Sequence, residues 1–163
     1  MKQDNKIITI ILTLIIGGVL QGFFMFYECD RQNTPNKVVA DFAKAYFKFD
    51  KSTMSNLICE EQRVVDDVDV IDKYVYDAAT EATSLGYGMF YLKNKLYDIK
   101  TNTISKGKDG NKVRIRLTCK KRPPLKSFFT REDYVTVDET VEVVKKEDGK
   151  WKVCGSFFSL HGE

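Results

Sequence analysis

The sequence is poor in the residues on which most catalytic and metal chemistry depends. Only one histidine occurs among 163 residues, His161, close to the C-terminus. Imidazole is the usual base in Ser-His-Asp and Cys-His catalysis and a common zinc ligand, so these chemistries find little support. The four cysteines include no Cys-x-x-Cys pair, which argues against a zinc site of the usual spacing. We therefore predict no metal and no cofactor.

The chain also lacks a large excess of charge of either sign. It carries 26 lysines and arginines against 23 acidic residues, a formal net charge of +3. Dedicated nucleic-acid-binding proteins usually show a stronger basic bias, so we predict no nucleic-acid partner. With 43% apolar and 30% charged residues, the composition is globular, and the length suits one ordinary domain.

One long apolar run is present. Residues 7–27 read IITIILTLIIGGVLQGFFMFY and contain no charged residue. A helix of this length rises about 30 Å, enough to cross the hydrocarbon layer of a bilayer. The run ends in large aromatic residues, unlike a cleaved signal peptide, and Cys29 lacks the small preceding residues of a lipoprotein signal. We predict an uncleaved single-pass anchor.

The charges that flank this run indicate its orientation. Lys2 and Lys6 precede it, whereas Glu28 and Asp30 follow it. The positive-inside rule then places the N-terminus in the cytoplasm and the remaining chain in the periplasm, at a bacterial inner membrane. The predicted parts are a cytoplasmic N-terminus (1–6), a transmembrane anchor in the lipid bilayer (7–28), a linker (29–36) and an extracytoplasmic domain (37–163).

The periodicity of the domain predicts helices first and strands afterwards. Thr34 and Pro35 form a typical helix start. Helices are predicted from this start to Phe49, after Asp50, and from Asp66 to a terminating Gly86. The apolar period then approaches two, which predicts strands over 90–100, 101–106, 113–120, 134–145 and 151–158. This order is typical of an α+β fold with helices on one face of a curved antiparallel sheet.

The four cysteines are disulfide candidates, because an oxidising compartment permits such bonds, and they allow three full pairings. Strand alternation points Cys119 toward the core and Cys154 to the opposite face of the last strand. A Cys119–Cys154 bond would need a bulge, so we prefer Cys59–Cys154, which joins a helix to the last strand. Cys29 is either free or paired between chains.

The last hairpin carries a resemblance to a known family. Residues 141–153 read VEVVKKEDGKWKV, and together with the helices-then-sheet order they resemble the nuclear transport factor 2-like superfamily over about residues 35–160. The resemblance implies a strongly curved sheet wrapped around helices as a cone, a fold that hosts enzymes, ligand binders and interaction domains. The topology is also similar to that of the bridging inner-membrane subunit of type IV secretion systems. This chain has only about six residues before its apolar run.

Two basic segments are candidate contact sites. The outward face of the strand at 113–120 carries basic side chains that either meet an acidic partner or lipid headgroups, or form a solvated face that discourages edge pairing. Residues 120–133, KKRPPLKSFFTRED, combine prolines, cations and large apolar residues. We interpret them as a protruding contact loop, and alternatively as core that closes the cone. The predicted partner-contacting residues are Arg114, Arg116, Arg122, Leu125, Phe128 and Phe129.

An acidic run precedes the third predicted helix and includes Asp66, Asp67, Asp69 and Asp72. Several carboxylates suit a hard cation, but the spacing matches no calcium loop. We favour acidic residues placed at a helix N-terminus, where the helix dipole stabilises them.

Nothing in the sequence singles out an acid–base pair, so we predict no enzymatic activity. The predicted function is an interaction or assembly module, an accessory or scaffold subunit of a membrane or envelope complex. Its partners would be other membrane or envelope subunits, or a second copy of the chain. The alternative is a tethered binder of a small apolar ligand, with a pocket lined by Phe42, Tyr46, Val75 and Trp151.

Overall fold

The computed structural model describes residues 12–21, 33–125 and 133–155. The chain divides into two compact units, Met1–Gln32 and Asn33–Glu163. In the first unit, residues 12–21 are helical (α1) and their side chains are exposed. Within the described ranges, no helix is both long and apolar enough to cross a membrane. The rest of the predicted anchor, residues 7–11 and 22–28, lies outside those ranges.

The second unit opens with two helices whose starts follow the sequence prediction. Helix α2 covers Pro35–Lys48, and the Thr34 side chain accepts a hydrogen bond from the Lys37 amide at 3.3 Å. It ends where Phe49 adopts a left-handed backbone conformation (φ 57°). Helix α3 (Lys51–Leu57) is capped by Asp50, which accepts from the Thr53 amide at 3.2 Å. A short helix that was not predicted, α4, follows at Glu60–Arg63.

The third predicted helix starts later than the sequence suggested. Residues 64–69 form a hairpin of two short antiparallel strands, β1 (Val64–Val65) and β2 (Val68–Asp69). Asp66 and Asp67 form its turn with φ of 50° and 63°, a conformation that aspartate tolerates. Helix α5 (Val70–Ser84) therefore begins after Asp69, which caps it, and not at Asp66.

A four-stranded antiparallel sheet completes the domain and confirms the α+β class. A 3-10 helix, Met89–Leu92, occupies the start of the segment predicted as strand from residue 90. The strands are β3 (Lys95–Lys106), β4 (Lys112–Arg122), β5 (Val135–Lys145) and β6 (Trp151–Val153), in that spatial order. The two strands predicted at 90–106 are thus one strand, interrupted by two irregularities in its pairing with β4. Residues 156–158 of the predicted last strand lie outside the described ranges.

The core lies between the helices and one face of the sheet. Alternate side chains of β4 point inward, and Ile115, Leu117 and Cys119 are at most 1% exposed. Phe42 of α2 and Ile71 of α5 pack in the same cluster. The predicted inward position of Cys119 is therefore confirmed, and its thiol is free.

A disulfide fastens the segment after α3 to the last strand. It joins Cys59 to Cys154, the predicted preference, across a sequence separation of 95 residues. The Cys59 amide also donates to the Val153 carbonyl at 2.8 Å, and Ile58 pairs with Val153 as a parallel bridge. Cys29 lies outside the described residues.

The sheet has two distinguishable ends. At the near end, where the chain joins the domain, the Asn33 side chain accepts from the Trp151 amide at 2.5 Å. At the far end, β4 finishes and β5 begins, and the Asn94 amide donates to the Phe47 carbonyl at 2.8 Å. Helix α2 connects the two ends over 14 residues, a rise of about 21 Å.

Candidate functional site

The outer face of the sheet holds arginines whose charge is compensated. Arg114 and Arg116 are exposed, with side chains 63% and 56% accessible. The Arg116 guanidinium makes a bidentate pair with Asp138, with Nε–Oδ1 at 2.8 Å and Nη2–Oδ2 at 2.5 Å. Its hydrogen bonds hold the pKa of the Asp138 carboxyl below its usual value. Arg114 lies 3.6 Å from Glu142.

The far end of the sheet holds cations of a different kind. Each of four cations lies over the face of an aromatic ring within the range of a cation–π interaction. The four pairs are Lys93 over Phe90 (5.6 Å to the ring centroid), Lys95 over Tyr97 (5.3 Å), Lys121 over Phe47 (5.2 Å) and Arg122 over Tyr134 (5.3 Å). We call these eight residues the far-end cluster. None of its four cations forms an ion pair with any residue in the described part of the chain.

Two rings of the far-end cluster also contact each other. Tyr97 and Tyr134 meet edge to face with centroids 5.2 Å apart. Lys95, Tyr97, Tyr134 and Arg122 therefore form a continuous row of contacts from β3 to the start of β5. The Nε atom of Arg122 is buried, and it has no hydrogen-bond acceptor among the described residues.

The predicted contact loop leaves the sheet at this same end. Of its predicted contact residues, Arg122 ends β4 and belongs to the far-end cluster, and Leu125 is 38% exposed. Phe128 and Phe129 lie outside the described residues. The structure thus brings Arg122 together with residues that the sequence analysis did not single out. The missed signal was the position of Lys95 and Tyr97 on alternate residues at the start of β3.

A groove of about 480 Å³ runs beside the far-end cluster, along β5. Tyr46, Phe47 and Lys121 form one side, and residues 135–139 form the other. Strand β6 pairs only with the end of β5, and the last bond joins the Cys154 amide to the Glu142 carbonyl at 2.8 Å. Among the described residues, Val135–Val141 therefore has a neighbouring strand on one side only, and such an edge can accept another extended segment.

The residues of the alternative ligand pocket contribute to the core. Phe42 is 1% and Tyr46 is 8% exposed, and Val75 and Trp151 pack against the same cluster. Tyr46 stacks on Tyr74 with centroids 4.3 Å apart, and the Tyr74 hydroxyl donates to the Tyr46 carbonyl at 3.2 Å. Burial raises the pKa of both hydroxyls, which favours their neutral form.

The acidic run is used for capping and ion pairing. Asp69 accepts from the Ile71 and Asp72 amides at 3.0 and 3.1 Å, which caps α5, and it pairs with Arg63 at 2.8 Å. Asp72 pairs with Lys51. Within the described ranges, no group of three or more acidic, cysteine or histidine side chains is placed to hold a metal ion.

The far-end cluster combines one predicted contact residue, Arg122, with three further cations, and none of the four forms an ion pair among the described residues. Its arrangement suits binding of an anionic surface. Comparison with known proteins adds no further guide, because no protein family, curated protein or solved structure matches the chain.

Proposed function

We propose that this chain is a membrane-anchored, extracytoplasmic interaction module of the nuclear transport factor 2-like type. It would serve as an accessory or scaffold subunit of a membrane or envelope complex at a bacterial inner membrane. The observation that carries the proposal is the far-end cluster, four cations supported by aromatic rings and left without carboxylates in the described part. Arginine and aromatic side chains are enriched where protein surfaces bind one another.

The position of the cluster supports this role. The chain joins the domain at Asn33, at the near end of the sheet. The far-end cluster lies beyond the opposite end of α2, about 21 Å away along the helix. Within the domain, a partner can therefore contact the cluster without contacting Asn33, where the chain continues into the proposed linker (29–36) and anchor (7–28).

Binding alone, without a catalytic step, is the activity that the described groups favour. Tyr46 and Tyr74 stack on each other, and the Tyr74 hydroxyl donates a hydrogen bond to the Tyr46 backbone carbonyl. Phe42 fills the position at which the ligand-binding alternative needs open space. The packing of the core therefore favours a protein-contacting surface over an internal ligand pocket.

The proposal is tested by extracting the full-length chain in a mild detergent, sizing it under native conditions and identifying the co-migrating proteins by mass spectrometry. We expect co-migration with a defined assembly. The variant Arg122→Glu should release the chain from that assembly, because it reverses a charge of the far-end cluster. The matched variant Arg114→Glu, on the compensated face, should not. Migration of the unaltered chain alone, near the mass of a monomer or dimer, would refute the proposal.

A further inference from the structure

We infer that the far-end cluster binds an acidic polypeptide segment of the partner. This inference rests on the proposed function and specifies the chemistry of the partner. It concerns the end of the sheet where β3 begins, β4 ends and β5 begins, and it names Lys95 and Arg122 as its central residues.

The first argument is the pairing of like charges across two strands. Lys95 and Arg122 are directly opposite in the register of β3 and β4. Like charges directly opposite one another destabilise a strand pair. Elsewhere on β4 such cations have an acidic neighbour, as Lys120 has Asp98 at 3.1 Å. Carboxylates from a bound segment would remove the repulsion that the described residues leave in place at Lys95 and Arg122.

The second argument is that the rings hold the cations ready for an acceptor. Tyr97 and Tyr134 each support one face of a cation at 5.3 Å and contact each other. A cation that lies over a ring still has N–H groups that do not face the ring, and a carboxylate can accept hydrogen bonds from them. Side chains that are ordered before binding lose less conformational entropy when the complex forms.

The third argument is that the site offers contacts on both faces of the sheet. Lys121 and Arg122 are consecutive in β4, so their side chains point to opposite faces. Lys121 lines the groove with Val135, which is 53% exposed. A segment that crosses the end of the sheet would meet Lys95 and Arg122 on one face. On the other face it would meet Lys121 and a mixed groove, in which apolar side chains (Phe47, Val135 and Val137) lie beside the carboxylates of Asp138 and Glu139. This geometry suits an acidic polypeptide that also carries apolar residues.

Anionic lipid is the less suitable source of negative charge. The cluster lies at the end of the domain opposite to Asn33, where the chain continues toward the proposed anchor. Among the described residues, Val135–Val141 beside the cluster has a neighbouring strand on one side only, and an extended polypeptide can pair with such an edge whereas a lipid headgroup cannot. Charge complementarity and the adjacent strand edge together therefore favour a protein segment.

The test measures the affinity of a fluorescent poly-glutamate peptide for the full-length chain in a neutral detergent. We expect binding that weakens as salt is added, because exposed charges are screened. The double variant Lys95→Gln/Arg122→Gln should raise the dissociation constant at least tenfold. The matched control Lys112→Gln/Arg116→Gln removes the same formal charge from cations that already have carboxylate partners, and it should change the constant by less than about threefold.

Two results would overturn the inference. Equal weakening by both double variants would show a general charge effect with no specific site. Binding to vesicles of phosphatidylglycerol and phosphatidylcholine, without binding to poly-glutamate, would assign the cluster to lipid. Each variant is checked for an unchanged thermal midpoint, and Lys95→Glu provides a second test if Arg122→Gln alters the fold.

Failure of this inference can be distinguished from failure of the proposed function. If poly-glutamate does not bind but the native assembly persists and depends on Arg122, the module has a partner of different chemistry. If poly-glutamate binds but the chain migrates alone, the cluster recognises acidic segments without forming a stable complex.

Discussion

Strand β4 carries two sets of cations: one set pairs with carboxylates, and the other lies over aromatic rings. In its first half, Lys112 lies 2.7 Å from Glu142 and Arg116 makes a bidentate pair with Asp138, so the charge is compensated across the sheet. At its last two residues, Lys121 and Arg122 lie over aromatic rings instead. The same residue types on the same strand therefore form a surface with compensated charge in one place and a surface without carboxylate partners, among the described residues, in the other.

The difference shows that the number of basic residues is a poor guide to a binding surface. The side chains of Arg114 and Arg116 are more exposed than that of Arg122, yet each already pairs with a carboxylate. Half-buried Arg122 retains an uncompensated charge in the described part. A candidate contact site is distinguished by cations that have no carboxylate partner within the described part of the domain. Whether a cation has such a partner depends on the register between strands.

The largest expected effect is a loss of stability without a loss of binding, on removal of the Cys59–Cys154 disulfide. Replacing Cys59 and Cys154 by alanine should lower the free energy of unfolding by about 4 kcal/mol, because the bond closes a long loop in the unfolded chain. Denaturant titration of the full-length chain measures this change. Poly-glutamate affinity of the folded variant should stay the same, since β6 does not reach the far-end cluster.

Cys119→Ala is the matched control for that experiment. It removes a buried thiol that forms no disulfide, and it should lower the free energy of unfolding by only about 1 kcal/mol. A double variant that unfolds at the same denaturant concentration as Cys119→Ala would show that the disulfide contributes little.

A smaller effect is expected when the compensated face is opened. In Asp138→Asn/Glu142→Gln, the guanidinium of Arg116 and its neighbours lose their carboxylate partners. The face should then gain poly-glutamate affinity, by about threefold at low salt. The measurement is the same fluorescence titration.

A control variant, Asp41→Asn/Asp77→Asn, removes two carboxylates from helices α2 and α5, where both pair with lysines. It should produce a smaller gain, because those lysines are not on β4. An equal gain would mean that net charge, and not the position of cations on β4, controls binding.

The smallest expected effect is a change in the pKa of one carboxyl group, that of Asp138. Hydrogen bonds from Arg116 lower the pKa of Asp138 in the folded chain. A lowered pKa stabilises the fold above the unfolded value of about 3.9, and this contribution is lost as the pH falls through the folded value. Arg116→Gln should raise the pKa of Asp138 toward its ordinary value, which a carboxyl NMR titration detects. Arg122→Gln should leave the pKa of Asp138 unchanged.

Much of the fold follows from local patterns in the sequence. The start of α2 is set by Thr34 and Pro35, and strict alternation places Ile115 and Cys119 of β4 in the core. The preference for Cys59–Cys154 came from the same alternation. The helix start and the alternation depend on neighbouring residues, so a single sequence suffices to predict them. The disulfide joins residues 95 apart, and for it alternation only disfavoured the alternative Cys119–Cys154 bond.

The features that were not predicted depend on contacts distant in sequence or on special backbone conformations. The turn at Asp66 and Asp67 has the composition of a helix N-terminus, and only its left-handed backbone reveals a hairpin. The far-end cluster requires that Lys95 stand opposite Arg122, and an irregularity in the β3–β4 pairing near Asp98 separates that register from the rest of the strand. No local pattern specifies such a shift.

Among the described residues, β5 has an edge that is paired on one side only, and this has a further consequence for the solubility of the chain. Val135, Thr136 and Val137 are the kind of residues that add to other strands and start aggregates. Asp138 and Glu139 follow directly and are exposed. Two copies that aligned their edges would bring these acids close together, and the repulsion would oppose the contact. Because the Asp138 carboxylate already pairs with Arg116, most of this repulsion comes from Glu139, which forms no ion pair among the described residues.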